Sequence, residues 1–275
     1  MSDPFLAPGA TGMLALAAVT FLAAAVNSVA GGGTILTFPV LAAILPAMPQ
    51  RMVVANTTST IGLLPGSVAA AWAYRSDRKS LPSWSRWLIL PSIAGAAVGA
   101  GLVLVLPPDW FAALVPWLVL SAAVLFAIQP RLMSQIHGRG ASAGVTRELP
   151  QQSGGLMLAC GLQFLVAVYG GYFGAGIGIL MLAMLGMLNL GDIHRLNSLK
   201  NVLGMIVNGA AAVLFASGSL LGTSDVSWPH AAVMAASAIG GGLAGSHLAR
   251  RLPAATVRRG VAIIAFALAG YYFFT

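Results

Sequence analysis

The chain has 275 residues, 58% of them hydrophobic and only 7% charged, with a mean hydropathy of +0.89. Soluble domains carry roughly 25% charged residues, so a soluble enzyme, a disordered chain and a coiled coil are excluded. The net charge of +8 does not mark a nucleic-acid binder, because no clustered Lys/Arg face stands beside a soluble core; in a polytopic helical membrane protein, positive excess belongs to cytoplasmic loops.

The N-terminus, Met1-Ser2-Asp3-Pro4, has no positive n-region. No cleavable signal peptide is expected, and the first apolar run stays as a helix. Ten apolar runs follow, at 13–29, 34–45, 53–74, 87–106, 110–129, 154–171, 175–190, 196–217, 230–249 and 256–274. A full span needs about 20 residues. The run 34–45 is short; it follows Gly31-Gly32-Gly33 and carries Pro39. Pro65, Pro91 and Pro116 lie inside runs and are expected to kink them. The polar stretch 130–153 reads as a cytoplasmic linker between two transmembrane halves, 1–129 and 154–275. Cys160 stands alone in an apolar run and reads as a packing residue. The run 175–190 is again short and follows the Gly-rich segment 170–178.

The halves resemble each other. Gly31-Gly32-Gly33 pairs with Gly174-Ala175-Gly176 at an offset of 143, and Asn56 pairs with Asn197 at 141. The small-residue stretches Gly95–Gly99 and Gly241–Gly245 pair at 146. Equivalent loops have opposite charge character. Loop 75–86 holds Arg75, Arg78, Lys79 and Arg86, whereas its counterpart near 218–229 holds no Lys or Arg; loop 107–109 holds none, whereas 250–259 holds Arg250, Arg251, Arg258 and Arg259. By the positive-inside rule such loops lie on opposite sides. Twelve of the 14 Lys/Arg then fall inside, and both termini are expected outside. The expected fold is an all-α polytopic membrane protein of two inverted-topology repeats, each of about five hydrophobic segments, with Gly-rich broken or short helices.

Two stretches carry a family likeness. Gly31–Pro39 followed by Ala55-Asn56-Thr57, and Gly174–Gly178 followed by His194–Asn201, resemble the sulfite exporter TauE/SafE family, also known as toluene-sulfonate uptake permeases. The resemblance covers nearly the whole chain. It implies a permease in the bacterial plasma membrane, without a cofactor, for small sulfur-containing anions such as sulfite, thiosulfate or sulfonates including sulfoacetate. Family members work in either direction. An inside-negative potential favours export of an anion, by about 2.3 kcal/mol per charge per 100 mV. Uptake of another small anion or solute, and a non-transporting scaffold subunit, stand as alternatives.

Lys200 is the most informative residue. It lies within a membrane helix, where a cation is costly and marks function unless it snorkels to the interface. Asn56, Thr57, Thr58 and Ser59 open one helix; Asn197, Ser198, Lys200 and Asn201 open its counterpart, with Asn208 farther along and Ser67 matching it. Two readings stand for these clusters: helix capping, or donors for an oxyanion at two opposed helix N-termini. Thr37 adds a hydroxyl. Gly31, Gly32, Gly33, Gly174, Gly176 and Gly178 either let the backbone unwind towards an anion or allow close packing. Gly95/Gly99 and Gly241/Gly245 serve contacts within one protomer or between two in a homodimer. Arg51 and Arg195 stand at the outer and inner mouths, to draw anions in or to anchor helix ends. Asp192 and His194 read as a solvated turn, and His247 beside Ser246 as pore-lining or interfacial. The partners expected are a small anion and the lipid bilayer, with no nucleic acid. No Asp or Glu falls inside any run, and His137, His194, His230 and His247 lack metal-ligand spacing, so neither a carboxylate proton relay nor a metal site is expected. No Gly-x-Ser-x-Gly nucleophile motif occurs.

Overall fold

The computed structural model describes residues 9–29, 33–73, 81, 83–142, 153–187, 193–248 and 254–274. Ten α-helices account for nearly all of them: α1 (Ala10–Val29), α2 (Thr34–Ile44), α3 (Arg51–Ala73), α4 (Ile89–Val105), α5 (Pro108–Ser142), α6 (Ser153–Tyr172), α7 (Ile177–Met187), α8 (Ile193–Leu220), α9 (Trp228–Leu248) and α10 (Ala254–Phe274). Each apolar run has become one helix. No strand occurs among the described residues.

Among the described residues, five stretches are long and apolar enough to cross a bilayer: Ala10–Ser28, Ser83–Val105, Pro108–Arg131, Gly155–Tyr172 and Arg195–Leu220. α3 and α9 do not qualify, because small and polar residues dilute them. Their placement accounts for this. Val53 to Ser59 are buried without interruption over seven residues. A helix buried around its whole circumference has protein on every side. The first half of α3 is therefore interior, and its hydroxyls and amide meet partners rather than lipid. The outer helices show the reverse. Leu90, Val105, Leu220 and Phe274 are at least 74% exposed. In water such a surface would aggregate; in a bilayer it is the solvated face. Trp72, Trp87, Trp110 and Trp228 are exposed near helix ends, where indoles favour the membrane interface.

The helices pack across the halves. α1 lies against α9 and α4 against α6. Glycine permits both contacts. A Cβ on Gly95 would strike the Phe164 carbonyl, and one on Gly99 would lie 2.7 Å from the Tyr172 nitrogen. On the other pair, a Cβ on Gly241 would strike the Phe21 carbonyl, and one on Gly245 would lie 2.5 Å from Ser28 Oγ. Both stretches thus join helices within one protomer. In each pair the residue numbers rise together, so the partners run parallel. α3 and α8 run in opposite directions: Ser67 meets Asn208, whereas Thr57 meets Asp225, beyond the end of α8.

Three sequence expectations shift. α5 continues to Ser142, into the stretch read as a linker. Pro65 and Pro116 do lie inside helices, but Pro91 falls in the first turn of α4, after a 3₁₀ turn over Ser83–Leu88. There its missing N–H is one the helix start leaves unbonded in any case, so it begins the helix rather than kinking it. The Trp87 carbonyl, which Pro91 has no N–H to bond, instead lies 3.7 Å from the Cys160 thiol. Cys160 is thus a weak donor as well as a packing residue.

Candidate functional site

The break between α6 and α7 is built by glycine. Gly174 and Gly176 have φ of 78° and 77°, the left-handed region open to glycine at little cost. Tyr169 donates its hydroxyl to the Ala175 carbonyl at 2.7 Å and holds the break in shape. Phe173 is buried in it and stacks edge-on to Phe38 of α2, centroids 5.4 Å apart. From the other half, Asn56 donates Nδ2 to the Tyr172 carbonyl at 2.9 Å, satisfying an acceptor at the end of α6. Gly174→Ala and Gly176→Ala are each expected to cost about 1–2 kcal/mol through the left-handed backbone. The melting temperature in detergent should fall by about 3–6 °C; no change would mean the break relaxes.

The first-repeat break differs. Gly31 and Gly32 lie outside the described residues. Gly33 is helical (φ −56°), and a Cβ there would lie 2.5 Å from the Ala23 carbonyl oxygen. Gly33 is a packing glycine, and its N–H reaches Asn27 Oδ1 at 3.5 Å.

The polar clusters do not cap helices. α3 begins at Arg51 and α8 at Ile193, so both clusters lie more than one turn inside. The preceding residues, Arg51–Ala55 and Ile193–Leu196, hold no helix breaker and extend each helix towards its N-terminus. The expected pair of opposed N-termini is thus replaced by helix interiors. In α3, Thr57 Oγ1 donates to the Asp225 carbonyl at 3.0 Å, and Thr58 Oγ1 accepts from Ser227 N–H at 3.0 Å. Thr37 and Ser59 share a hydroxyl hydrogen bond of 2.6 Å.

In α8 the arrangement opens. Lys200, Asn201, Gly204 and Asn208 face a cavity of about 20 Å³, completed by Asn27 of α1, Ser67 of α3 and Gly178 of α7. Lys200 is 2% exposed, so it does not snorkel to water. Asn208 and Asn27 both donate to Ser67 Oγ, at 3.0 and 3.4 Å. Asn201 is 7% exposed, and its Nδ2 donor has no partner among the described residues. The lining carries one cation, three amides and a hydroxyl, and no carboxylate. That set suits an anion.

Of the predicted residues, the cavity unites Gly178, Lys200, Asn201 and Asn208. Thr37 and Ser59 bond each other, and Thr57 and Thr58 bond the α8–α9 turn. Asn197 and Ser198 do not line the cavity; Asn197 Oδ1 and Ser198 Oγ are buried without partners among the described residues. Arg51 is the first residue of α3 and half-buried, Arg195 is exposed on α8, and neither reaches the cavity. Asp192 and the side chains of His194, Ser246 and His247 lie outside the described residues. No group of three metal-ligating side chains occurs among the described residues.

Sequence reasoning missed Asn27. Asn27 had a signal, an amide near the end of an apolar run, where a polar group in a membrane marks function.

Comparison with known proteins follows the same line. The family model for the sulfite exporter TauE/SafE matches residues 16–272. A probable membrane transporter protein of Haemophilus influenzae is 26% identical over 250 residues, covering 90% of this chain and 89% of the relative. A probable membrane transporter protein, ORF9, of a Sinorhizobium species is 29% identical over 174 residues. That match covers 62% of this chain and spans 58% of the relative's length. No solved structure matches the chain. With ten helices, an apolar outer face and a buried polar centre, the chain belongs to the TauE/SafE family and is a multi-pass membrane transporter.

Proposed function

We propose that the protein is a secondary transporter exporting small sulfur-containing oxyanions (sulfite, thiosulfate or organosulfonates such as sulfoacetate) by alternating access between two inverted halves, 1–129 and 154–275. The observation that carries this reading is the cavity at Lys200. A buried ammonium in an apolar bundle is expensive, and a bound anion offsets the cost. Asn201 Nδ2, Asn208 and Asn27 supply directed donors of the kind a three-oxygen anion needs. A cavity of about 20 Å³ admits a water-sized sphere, not a sulfite. Loading therefore requires the lining helices to part, and transport is that motion. The opposite directions of α3 and α8, and the exchange of packing partners between halves (α1 with α9, α6 with α4), support the inverted arrangement.

Proteoliposomes loaded with labelled sulfite, thiosulfate or sulfoacetate test the reading. Efflux should rise when the interior is made negative, and the final outside-to-inside ratio should shift about tenfold per 60 mV for each charge moved. Flux of none of the three would sink the substrate class; flux indifferent to potential would sink electrogenic export.

A further inference from the structure

α8 ends in a Schellman arrangement. Thr223 N–H donates to the Gly218 carbonyl at 2.8 Å and Gly222 N–H to that of Ser219 at 3.2 Å, with Gly222 at φ 72°. The chain then runs through 225–227 into α9. Four hydrogen bonds involving side chains tie this short segment down. Gln50 Nε2 donates to Asp225 Oδ2 at 3.1 Å, Thr57 Oγ1 to the Asp225 carbonyl and Ser227 N–H to Thr58 Oγ1, both at 3.0 Å. Ser227 Oγ pairs with His230 Nδ1 at 2.6 Å, locking the segment to the first turn of α9. Val226, Ser227 and His230 are buried.

We propose that segment 225–227 is the gate on the side of the membrane where α3 begins, closed in this structure onto Thr57 and Thr58. This rests on the transport reading above. Three observations carry it. First, the repeat offset of 141 for these helices maps Ser59 onto Lys200. In the second repeat that position lines the cavity; in the first, Ser59 is closed off by its hydrogen bond to Thr37 of α2. Second, Thr57 and Thr58 lie immediately before Ser59 on α3, and the segment is bonded directly to them. The same side is thus tied at two successive points along α3. Third, Ser198, the counterpart of Thr57, keeps its hydroxyl buried with no partner among the described residues. One side is tied, and among the described residues its equivalent is not tied through the matching hydroxyl.

The bonds suit a device that opens and closes. Three are neutral contacts worth about 1 kcal/mol net each, and the fourth, from Gln50 to the Asp225 carboxylate, is exposed; water replaces each when broken. Only Val226 in the segment is apolar. Opening exposes little apolar surface, so substrate binding can drive it. Thr57 and Thr58, which sequence alone nominates as anion ligands, are thereby gate residues.

Two experiments decide this. In a Cys160→Ser background, Asn208→Cys is labelled by a membrane-impermeant maleimide applied from the gate side. Adding Thr57→Val and Thr58→Val should speed labelling several-fold; an unchanged rate overturns the gate, whether or not any anion is carried. Separately, Thr58→Cys/Ser227→Cys is bridged by a short bis-thiol reagent. Bridging should cut sulfite flux at least tenfold while sulfite still stabilises the protein thermally, and cleaving the bridge should restore flux. Undiminished flux with the bridge verified by mass spectrometry overturns the gate. Absence of flux and of sulfite stabilisation in the wild type overturns the transport reading instead, and the labelling result then decides the gate alone.

Discussion

Lys200→Met should abolish most anion binding while leaving the fold intact. Sulfite affinity, read as ligand-induced thermal stabilisation, is expected to fall about 10- to 100-fold, as loss of hydrogen bonds to a charged group worth about 1.5–3 kcal/mol requires. Flux at low substrate concentration should fall in parallel. Methionine matches the lysine stem in length and apolar character, so the packing of a side chain only 2% exposed is kept. Replacing a buried charge by an apolar group of similar volume is often neutral or stabilising, so the melting temperature without ligand should not drop by more than a few degrees. Lys200→Arg is expected to be nearly as damaging to binding. Its planar fork is larger than an ammonium and has only about 20 Å³ of free space to enter. Wild-type affinity in Lys200→Met would remove the lysine from the site, and with it the observation on which the anion reading stands.

The second large effect is structural. Gly99→Val should prevent α4 from seating on α6. A Cβ at Gly99 would strike the Val168 carbonyl and lie 2.7 Å from the Tyr172 nitrogen. Both atoms are backbone, so no rotamer change relieves the clash. The cost belongs at or above the upper end of overpacking, about 3 kcal/mol or more, and the melting temperature should fall by about 10 °C, or folded protein should be lost. Gly101 lies two residues along the same helix. A Cβ there meets nothing within 4 Å, so Gly101→Ala should leave stability unchanged or raise it slightly through helix propensity. Equal effects at the two positions would mean that α4 and α6 do not pack as described. The contrast separates glycine as a contact from glycine as mere composition, which sequence cannot do.

Much of the architecture was legible because it is local. Each apolar run became a helix, since a bilayer forces every backbone polar group into internal hydrogen bonds. The break at Gly174 and Gly176 was legible because left-handed backbone selects glycine within a few residues. Lys200 stood out because intramembrane charge is rare and costly. The boundaries were less legible. Nothing in the polar composition near 130 ends α5, which runs on to Ser142, and Pro91 looked like a kink only until the 3₁₀ turn before it placed it at a helix start.

The division of labour among the polar residues was not legible at all. Asn56, Thr57, Thr58 and Ser59 form one cluster in the sequence, yet successive residues of a helix point about 100° apart. Asn56 turns to the α6 break, Thr57 and Thr58 to the α8–α9 turn, and Ser59 to Thr37. Asn27, Ser67, Lys200 and Asn208 are scattered over more than 180 positions and meet in one cavity. By itself, the sequence determined that this is a helical membrane protein, where its chain breaks, and that one cation is held inside. Only the tertiary structure decided which hydroxyls and amides face that cation, because this depends on which helix faces from the two halves the glycine contacts bring together.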